Sequence, residues 1–131
     1  MSSVPFRQPT EPEVEILQVL WEHQPATVKF VHEQLVQHRE VGYTTILKQM
    51  QRMLKKGMIE RVKEGKQHLY SASFSESQIQ ESLYNKLVKT AFKGSPMQLV
   101  MHALGRNKTS EAELDELQQW LDDQKKKQKK G

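Results

Sequence analysis

The chain of 131 residues contains no cysteine, which excludes disulfide bonds, thiolate metal sites and cysteine nucleophiles. It also lacks a run of 18 apolar residues, and no apolar segment near Met1 could serve as a signal peptide. Hydrophobic residues make up only 36% of the chain, so its cores must be lean. These absences predict a cytoplasmic protein without membrane insertion. A lean core also suggests that a partner chain helps to bury apolar surface.

Motifs for catalysis are lacking as well. The six glycines are scattered singly, so there is no glycine-rich phosphate loop, and there is no G-x-S-x-G motif for a nucleophilic serine. His32 and His38 are separated by six residues instead of the four that a zinc-protease helix needs, so their rings point to different sides. We therefore expect that the protein is not an enzyme and that it uses no metal or cofactor.

Positive charge is concentrated in one part of the chain. The formal net charge of +4 falls to −1 without the final KKKQKKG, so the total charge says little about function. Residues 44–70 carry a net charge of +5, whereas residues 10–40 contain six glutamates. A continuous basic segment of this kind indicates an anionic partner.

Caps and apolar periodicity predict three helices in the first half of the chain. The first begins after Thr10, where Glu13 completes a capping box, and it ends before Pro25. Its buried side is predicted to contain Val14, Leu17, Val19, Leu20 and Trp21. The second helix covers about residues 27–37, and the third is YTTILKQMQRMLKKG, ending at Gly57.

The third helix has a polar side without a single acid. At about 100° per residue, eight polar residues share an arc of about 160°. They are Thr44, Thr45, Lys48, Gln49, Gln51, Arg52, Lys55 and Lys56. Hydroxyl and amide groups can contact base edges, and Arg or Lys can contact guanine or phosphate, so this side fits a DNA major groove. The alternative is a solvated helix whose outer side is basic by chance.

Beyond Gly57 the pattern changes to two short β-type segments, MIERVK and QHLYSAS, around the turn EGK. Three more helices are predicted at about residues 75–92, 95–104 and 110–124, each opened by a capping serine. The predicted fold class is mostly α with a small β-hairpin wing: a winged helix-turn-helix DNA-binding domain and a C-terminal three-helix dimerisation domain. The predicted domains are an N-terminal arm (1–9), the DNA-binding domain (10–73), the dimerisation domain (74–124) and a lysine-rich tail (125–131).

The C-terminal helices repeat apolar residues at three- and four-residue steps. Three helices in fewer than fifty residues bury little surface alone, so these positions are predicted to form a homodimer interface. The candidates are Leu83, Leu87, Val100, Leu104, Leu114, Leu117 and Leu121. The alternative is a bundle that folds back onto the winged domain of its own chain. Trp21 and Trp120 are both predicted to be core anchors.

The stretch GYTTILKQMQRMLKKGMIERVKEGKQHLY resembles the penicillinase and methicillin-resistance repressors, a family of bacterial winged-helix transcriptional repressors. The resemblance covers about residues 10–121, including TEPEVEILQVLWE at the start and KTAFKGS before the last helices. It implies a homodimer that binds a two-fold symmetric operator in double-stranded DNA and blocks transcription. The candidate DNA-binding residues are Thr44, Thr45, Lys48, Gln51, Arg52, Lys55, Lys66, His68 and Tyr70. The threonine hydroxyls have capping as an alternative role, and Tyr70 has core packing.

Two features of that family differ in this chain. The copper-sensing branch uses a C-terminal cysteine cluster, which a chain without cysteine cannot form. The antibiotic-responsive branch is cut at an Asn-Phe bond after a membrane sensor protease is activated, and the aligned pair here is His102-Ala103. A sensor protease is therefore a possible partner, but the signal or the cut bond must differ. Two other functions stay open: a winged-helix protein-interaction module and sequence-blind binding of nucleic acid.

Overall fold

The computed structural model describes residues 8–106 and 108–130, with side chains up to Lys129. Within these residues the elements are α1 (Glu11–His23), α2 (Val28–Leu35), α3 (Tyr43–Lys55), β1 (Ile59–Glu64), β2 (Gln67–Ala72), α4 (Glu76–Ala91), α5 (Pro96–Arg106) and α6 (Glu111–Lys130). The predicted fold class, mostly α with a β-hairpin wing, is confirmed. None of these helices is both long and apolar enough to cross a membrane. Of the predicted N-terminal arm, residues 1–7 lie outside the described part.

The first helix begins where its capping pattern predicts. The Thr10 backbone N–H donates to Glu13 Oε1 at 2.7 Å, and the helix ends at His23, just before Pro25. Its buried apolar residues are Ile16, Leu17 and Leu20. The predicted buried side was partly wrong, because it omitted Ile16 and included three residues that flank the buried stripe and are half-buried: Val14, Val19 and Trp21.

A continuous apolar core joins α1, α2, α3, the hairpin and the beginning of α4. Its members are Ile16, Leu17, Leu20, Ala26, Val28, Val31, Leu35, Ile46, Met50, Met53, Met58, Ile59, Tyr70 and Ile79. Trp21 packs against this core and donates through Nε1 to the Phe74 carbonyl at 2.9 Å, which ties α1 to the segment before α4. The compact unit built on this core runs to Asn85, so it includes α4 as far as that residue.

The third helix is closed by a glycine motif. Gly57 has a φ of +80°, a left-handed conformation that glycine adopts without steric cost. Its N–H donates to the Leu54 carbonyl at 3.1 Å, and the Met58 N–H donates to the Met53 carbonyl at 2.9 Å. These two bonds form a Schellman motif, which satisfies the last carbonyls of α3 and turns the chain into β1.

The wing is an antiparallel hairpin in which Glu64 faces Gln67 across the two-residue loop Gly65–Lys66. Directly opposed residues lie on the same side of a sheet, so the register divides the wing into two sides. One side carries Arg61, Lys63, His68 and Tyr70, and the other carries Glu60, Val62, Glu64, Gln67, Leu69 and Ser71. The cations of the hairpin strands are therefore separated from its acids.

The second compact unit begins at Lys86. Of its described residues, Val88 alone is buried, and neither α5 nor α6 contains a buried residue. The sixth helix extends to Lys130, beyond the predicted end near Gln124, so the described lysines of the predicted tail are helical. Trp120 was wrongly predicted to be a core anchor, because 57% of its surface is exposed on α6.

Candidate nucleic-acid interface

The third helix is held against the core by its apolar side. Ile46, Met50 and Met53 are each at most 2% exposed. At its N-terminal end, His32 of α2 donates through Nε2 to the Val41 carbonyl at 2.8 Å. The same imidazole makes an edge contact with the Tyr43 ring, with centroids 5.8 Å apart. These contacts fix the connection between α2 and α3 and so fix the direction in which α3 points.

The opposite side of α3 is open to solvent. The six residues predicted there as DNA contacts are all exposed: Thr44, Thr45, Lys48, Gln51, Arg52 and Lys55. The N-cap of α3 is Gly42, and no side chain caps the helix, so the capping role considered for the threonines is not observed. The two hydroxyl groups lie in the first turn, where they are free to meet a ligand.

The charges on this side are mostly unneutralised. Arg52 donates through Nη2 to Gln49 Oε1 at 3.0 Å, a bond to a neutral amide that orients the guanidinium without cancelling its charge. In the part of the chain that the structure describes, Lys48 and Lys55 have no carboxylate within ion-pair distance. An exposed surface with unpaired cations and no acid favours a polyanion.

Lys56 differs from the rest of the predicted polar arc. Its Nζ lies 3.0 Å from Glu13 Oε2, and its side chain is 33% exposed, whereas that of Glu13 is 2% exposed. Burial raises the pKa of Glu13, but the hydrogen bond from the Thr10 N–H and the Lys56 ammonium outweigh burial and hold this pKa below its ordinary value. Lys56 therefore joins the C-terminal end of α3 to α1.

The wing places further polar groups beside α3. Lys66 and His68, both predicted contacts, are exposed, with Lys66 at the hairpin loop. His68 also lines a hollow of about 290 Å³ with Lys29 of α2 and Tyr43 of α3. Neither Lys29 nor Tyr43 was among the predicted contacts, because the sequence pattern does not show which residues of α2 meet the wing.

Tyr70 was predicted to contact DNA, but it lies in the core. Its side chain is buried with the other core residues, and the residue is 3% exposed. Its backbone N–H and carbonyl pair with those of Ala26, at 2.8 and 2.9 Å, so the strand is held against the segment before α2. The alternative reading of Tyr70 as a packing residue fits this position.

The predicted dimer residues fall into two groups. Leu83 is half-buried and packs against the core of the first unit, so it is already partnered within its own chain. Leu117 is half-buried on α6. The others are 36% to 45% exposed: Leu87, Val100, Leu104, Leu114 and Leu121. Met97, Met101 and Trp120 in the same unit are still more exposed, so this unit carries several large apolar side chains at its surface.

Comparison with known proteins supplies relatives along nearly the whole chain. The profile of the penicillinase repressor family matches residues 9–123. The penicillinase repressor of Bacillus licheniformis is 26% identical over 129 residues, which is 98% of this chain and 99% of that protein. The methicillin resistance regulatory protein MecI of Mammaliicoccus sciuri is 27% identical over 109 residues, which is 83% of this chain and 89% of that protein.

Solved structures of relatives match part of the chain. The solution structure of the monomeric form of Bacillus licheniformis BlaI in complex with the blaP half-operator matches with a TM-score of 0.49 and 28% identity. The match covers 59% of this chain and 92% of that chain. The solution structure of the DNA-binding domain of the repressor BlaI gives the same values.

Proposed function

Because the chain belongs to the penicillinase repressor family, whose named relatives are transcriptional repressors and regulators, we propose that it represses transcription by binding DNA sequence-specifically as a homodimer. Its target is a two-fold symmetric operator. The observation that carries this proposal is the exposed, acid-free side of α3, held outward by three buried residues on its other side: Ile46, Met50 and Met53.

The chemistry of this side fits major-groove recognition. Thr44, Thr45 and Lys48 lie in the first half of α3, where short hydroxyl groups and an ammonium can reach base edges. Arg52 and Lys55 lie farther along the helix and supply cations for phosphates. A winged helix-turn-helix inserts this helix in the major groove, so the wing residues Lys66 and His68 contact the flanking backbone.

The homodimer is supported by the exposed apolar surface of the second unit. An isolated monomer with this surface would keep Leu87, Val100 and Leu104 in water, and burying them against a second chain is favourable by about 25 cal/mol per Å². Two chains related by a two-fold axis present two copies of α3. Such a pair reads two half-sites separated by about one DNA turn or a small multiple of it.

The most direct experiment is selection of bound fragments from a random duplex library with the full chain. The expected result is an enriched motif with two-fold symmetry, which reports specificity and dimer geometry together. Enrichment without a motif, with equal competition by random duplex at moderate salt, is the result for sequence-blind binding. Absence of any enrichment is the result for a protein-interaction module, and either result overturns the proposal.

Alanine variants test the role of α3 itself. Lys48→Ala and Arg52→Ala are each expected to weaken operator binding by about 1 to 3 kcal/mol, the loss of one specific or charge-assisted contact. Lys89→Ala is the matched control, because Lys89 is an exposed lysine of α4 outside the proposed interface. Titration by fluorescence anisotropy measures all three, and equal affinities for wild type and the α3 variants would exclude this helix as the reader.

Release from the operator by a sensor protease needs a different bond or a different signal from that of the antibiotic-responsive branch. His102 and Ala103, the pair aligned with its cut site, both lie within α5. Intact-mass measurement of the chain before and after induction of the host distinguishes the two routes. A shortened chain identifies the bond, whereas an unchanged mass shows that the signal acts without proteolysis.

A further inference from the structure

The sixth helix has an unequal distribution of charge along its length. Its twenty residues have their midpoint between Trp120 and Leu121. Residues 111–119 carry a net charge of −4, and residues 122–130 carry a net charge of +3. The helix therefore has an acidic half and a basic half, with an aromatic and an aliphatic residue at the junction.

The helix macrodipole explains only part of this distribution. It favours acids in the first turn and bases in the last turn, and its effect fades beyond them. Asp115 and Glu116 lie in the second turn, and Lys125 and Lys126 lie before the last turn. The separation of charge is thus broader than the stability of an isolated helix requires.

One side of the same helix is apolar and largely exposed, although Leu117 within it is half-buried. At 100° per residue, the leucines at 114, 117 and 121 lie within about 60° of one another, and Trp120 borders them. Trp120 is 57% exposed, Leu114 is 45% exposed and Leu121 is 40% exposed. Tryptophans near the centre of an interface often contribute most of its binding energy. The centre of α6 therefore has the composition of an interface centre.

From these observations we propose that α6 pairs with α6 of a second copy in antiparallel orientation, with the two-fold axis passing between Trp120 and Leu121. This pairing specifies the homodimer of the proposed function and rests on it. In that orientation the acidic half of each helix lies along the basic half of the other. A parallel pair would instead place like charges together, which is unfavourable.

With the axis between residues 120 and 121, a residue of one helix lies opposite the residue of the other helix whose number brings their sum to about 241. Helical angles place Glu116 and Lys127 on one flank of the apolar stripe, and Glu111 and Lys129 on the other. In an antiparallel pair each flank faces its own counterpart, so Glu116 approaches Lys127 of the partner subunit and Glu111 approaches its Lys129. A second copy supplies both charges that α6 needs, whereas DNA would attract the lysines and repel the acids.

Cysteine cross-linking distinguishes the orientations, because the natural chain contains no cysteine. The full-length variants are Leu114→Cys, Leu121→Cys and Gln128→Cys, each oxidised alone and in mixtures. In the antiparallel pair two Leu114 positions are about 20 Å apart along the axis, far beyond the Cα separation of about 7 Å that a disulfide spans. Leu121 lies near Leu121 of the partner subunit, because both are next to the two-fold axis. Leu114 lies near Gln128 of the partner subunit.

The expected result is a covalent dimer from Leu121→Cys alone and from the mixture of Leu114→Cys with Gln128→Cys, but from neither of those two alone. Self-cross-linking of all three variants indicates parallel helices and overturns the proposal. No cross-linking by a chain that sediments as a dimer also overturns it, while leaving the homodimeric repressor intact. A monomer in sedimentation contradicts both the pairing and the homodimer of the proposed function.

Charge exchange provides a second measurement that does not depend on cysteine. Lys127→Glu is expected to weaken dimerisation about 3- to 30-fold, because two symmetric pairs become repulsive, and Glu116→Lys added to it should restore the affinity. Lys126→Glu is the matched control, since this side chain lies on the far side of α6 from Leu117. Equal effects at positions 126 and 127, or no restoration, would overturn the antiparallel pairing.

Discussion

The two units of this chain have similar apolar periodicity but opposite packing. In the unit that runs to Asn85, Leu20, Val31, Met50 and Met53 are fully buried. From Lys86 onward, the described residues include a single buried side chain, although α5 and α6 are as amphipathic in sequence as α1. Periodicity therefore identifies which side of a helix will be covered, but not whether the cover belongs to the same chain.

The difference follows from what each unit offers its own helices. In the first unit, three helices and a hairpin converge, so each apolar stripe meets another within the chain. In the second unit, α5 has only 11 residues, and its methionines at 97 and 101 are 66% and 63% exposed. A unit so lean would gain stability from association, which the proposed repressor of two half-sites also needs.

The difference in burial between the two units can be tested most directly on α4, which belongs to both. Ile79 is 3% exposed in the first core, so Ile79→Ala is expected to lower the free energy of unfolding by about 2 to 5 kcal/mol at every protein concentration. Leu87 is 44% exposed, so Leu87→Ala should leave the first unit's stability within about 0.5 kcal/mol. Urea unfolding of the otherwise natural chain, followed through tryptophan fluorescence, measures both, because Trp21 packs against the first core whereas Trp120 is exposed.

Leu87→Ala should instead weaken dimerisation, seen as a shift of the monomer–dimer equilibrium in sedimentation. Equal losses of stability for the two variants would mean that both ends of α4 are buried alike. The contrast between the units would then be wrong.

Much of the fold follows from strong local signals in the sequence. The third helix lies where it was predicted, because Gly42 and Gly57 bracket it and its polar and apolar residues separate cleanly. The end of α6 was not predicted, because apolar periodicity stops near Gln124. Lysine and glutamine are good helix formers without an apolar neighbour, so the helix continues where the pattern gives no signal.

For the candidate site, the sequence predicted which side chains are exposed better than it predicted which distant residues they contact. Helical angles alone placed Lys48 and Arg52 outward, as observed. They also placed Lys56 in the same arc, but a carboxylate 43 residues away on α1 holds it. Pairing between distant residues depends on tertiary packing, which a helical wheel does not contain. Tyr70 was ambiguous for the same reason, since its side of the strand is defined only by the core it meets.

The Glu13–Lys56 pair offers the next test, because it anchors the end of α3 to α1. Glu13→Gln is expected to lower the free energy of unfolding by about 1 to 3 kcal/mol at neutral pH, since a buried carboxylate with two hydrogen bonds is lost. Glu15→Gln is the control, because its pair with Arg39 is exposed and contributes about 0 to 1 kcal/mol.

The pH dependence of this effect has a definite sign. The pKa of Glu13 is lower in the folded protein than in the unfolded chain, so its contribution is full above the unfolded value of about 4.3. It is lost as the pH falls from there through the folded pKa. The stability difference between wild type and Glu13→Gln should therefore shrink in acid, and a difference that grew on acidification would contradict the role of this carboxylate.

One glycine in each unit is expected to give a smaller change in stability when it is replaced by alanine. Gly57→Ala is expected to cost about 1 to 2 kcal/mol, because alanine is strained at a φ of +80° even where no neighbouring atom obstructs it. Gly105→Ala, within α5, is expected to raise helix stability by up to about 1 kcal/mol. Thermal unfolding measures both, and stabilisation by Gly57→Ala would show that the Schellman closure of α3 is not needed.

The smallest expected effect separates two adjacent lysines. Lys55 is unpaired within the described residues and faces outward, so Lys55→Ala should remove one phosphate contact and lower the slope of log affinity against log salt by about 0.9. Lys56→Ala should leave that slope nearly unchanged, because Glu13 already occupies this ammonium. Operator titrations at four salt concentrations measure both slopes. If Lys56→Ala lowered the slope as much as Lys55→Ala, the ion pair would have to open on DNA, and α3 would be anchored to α1 only in the free protein.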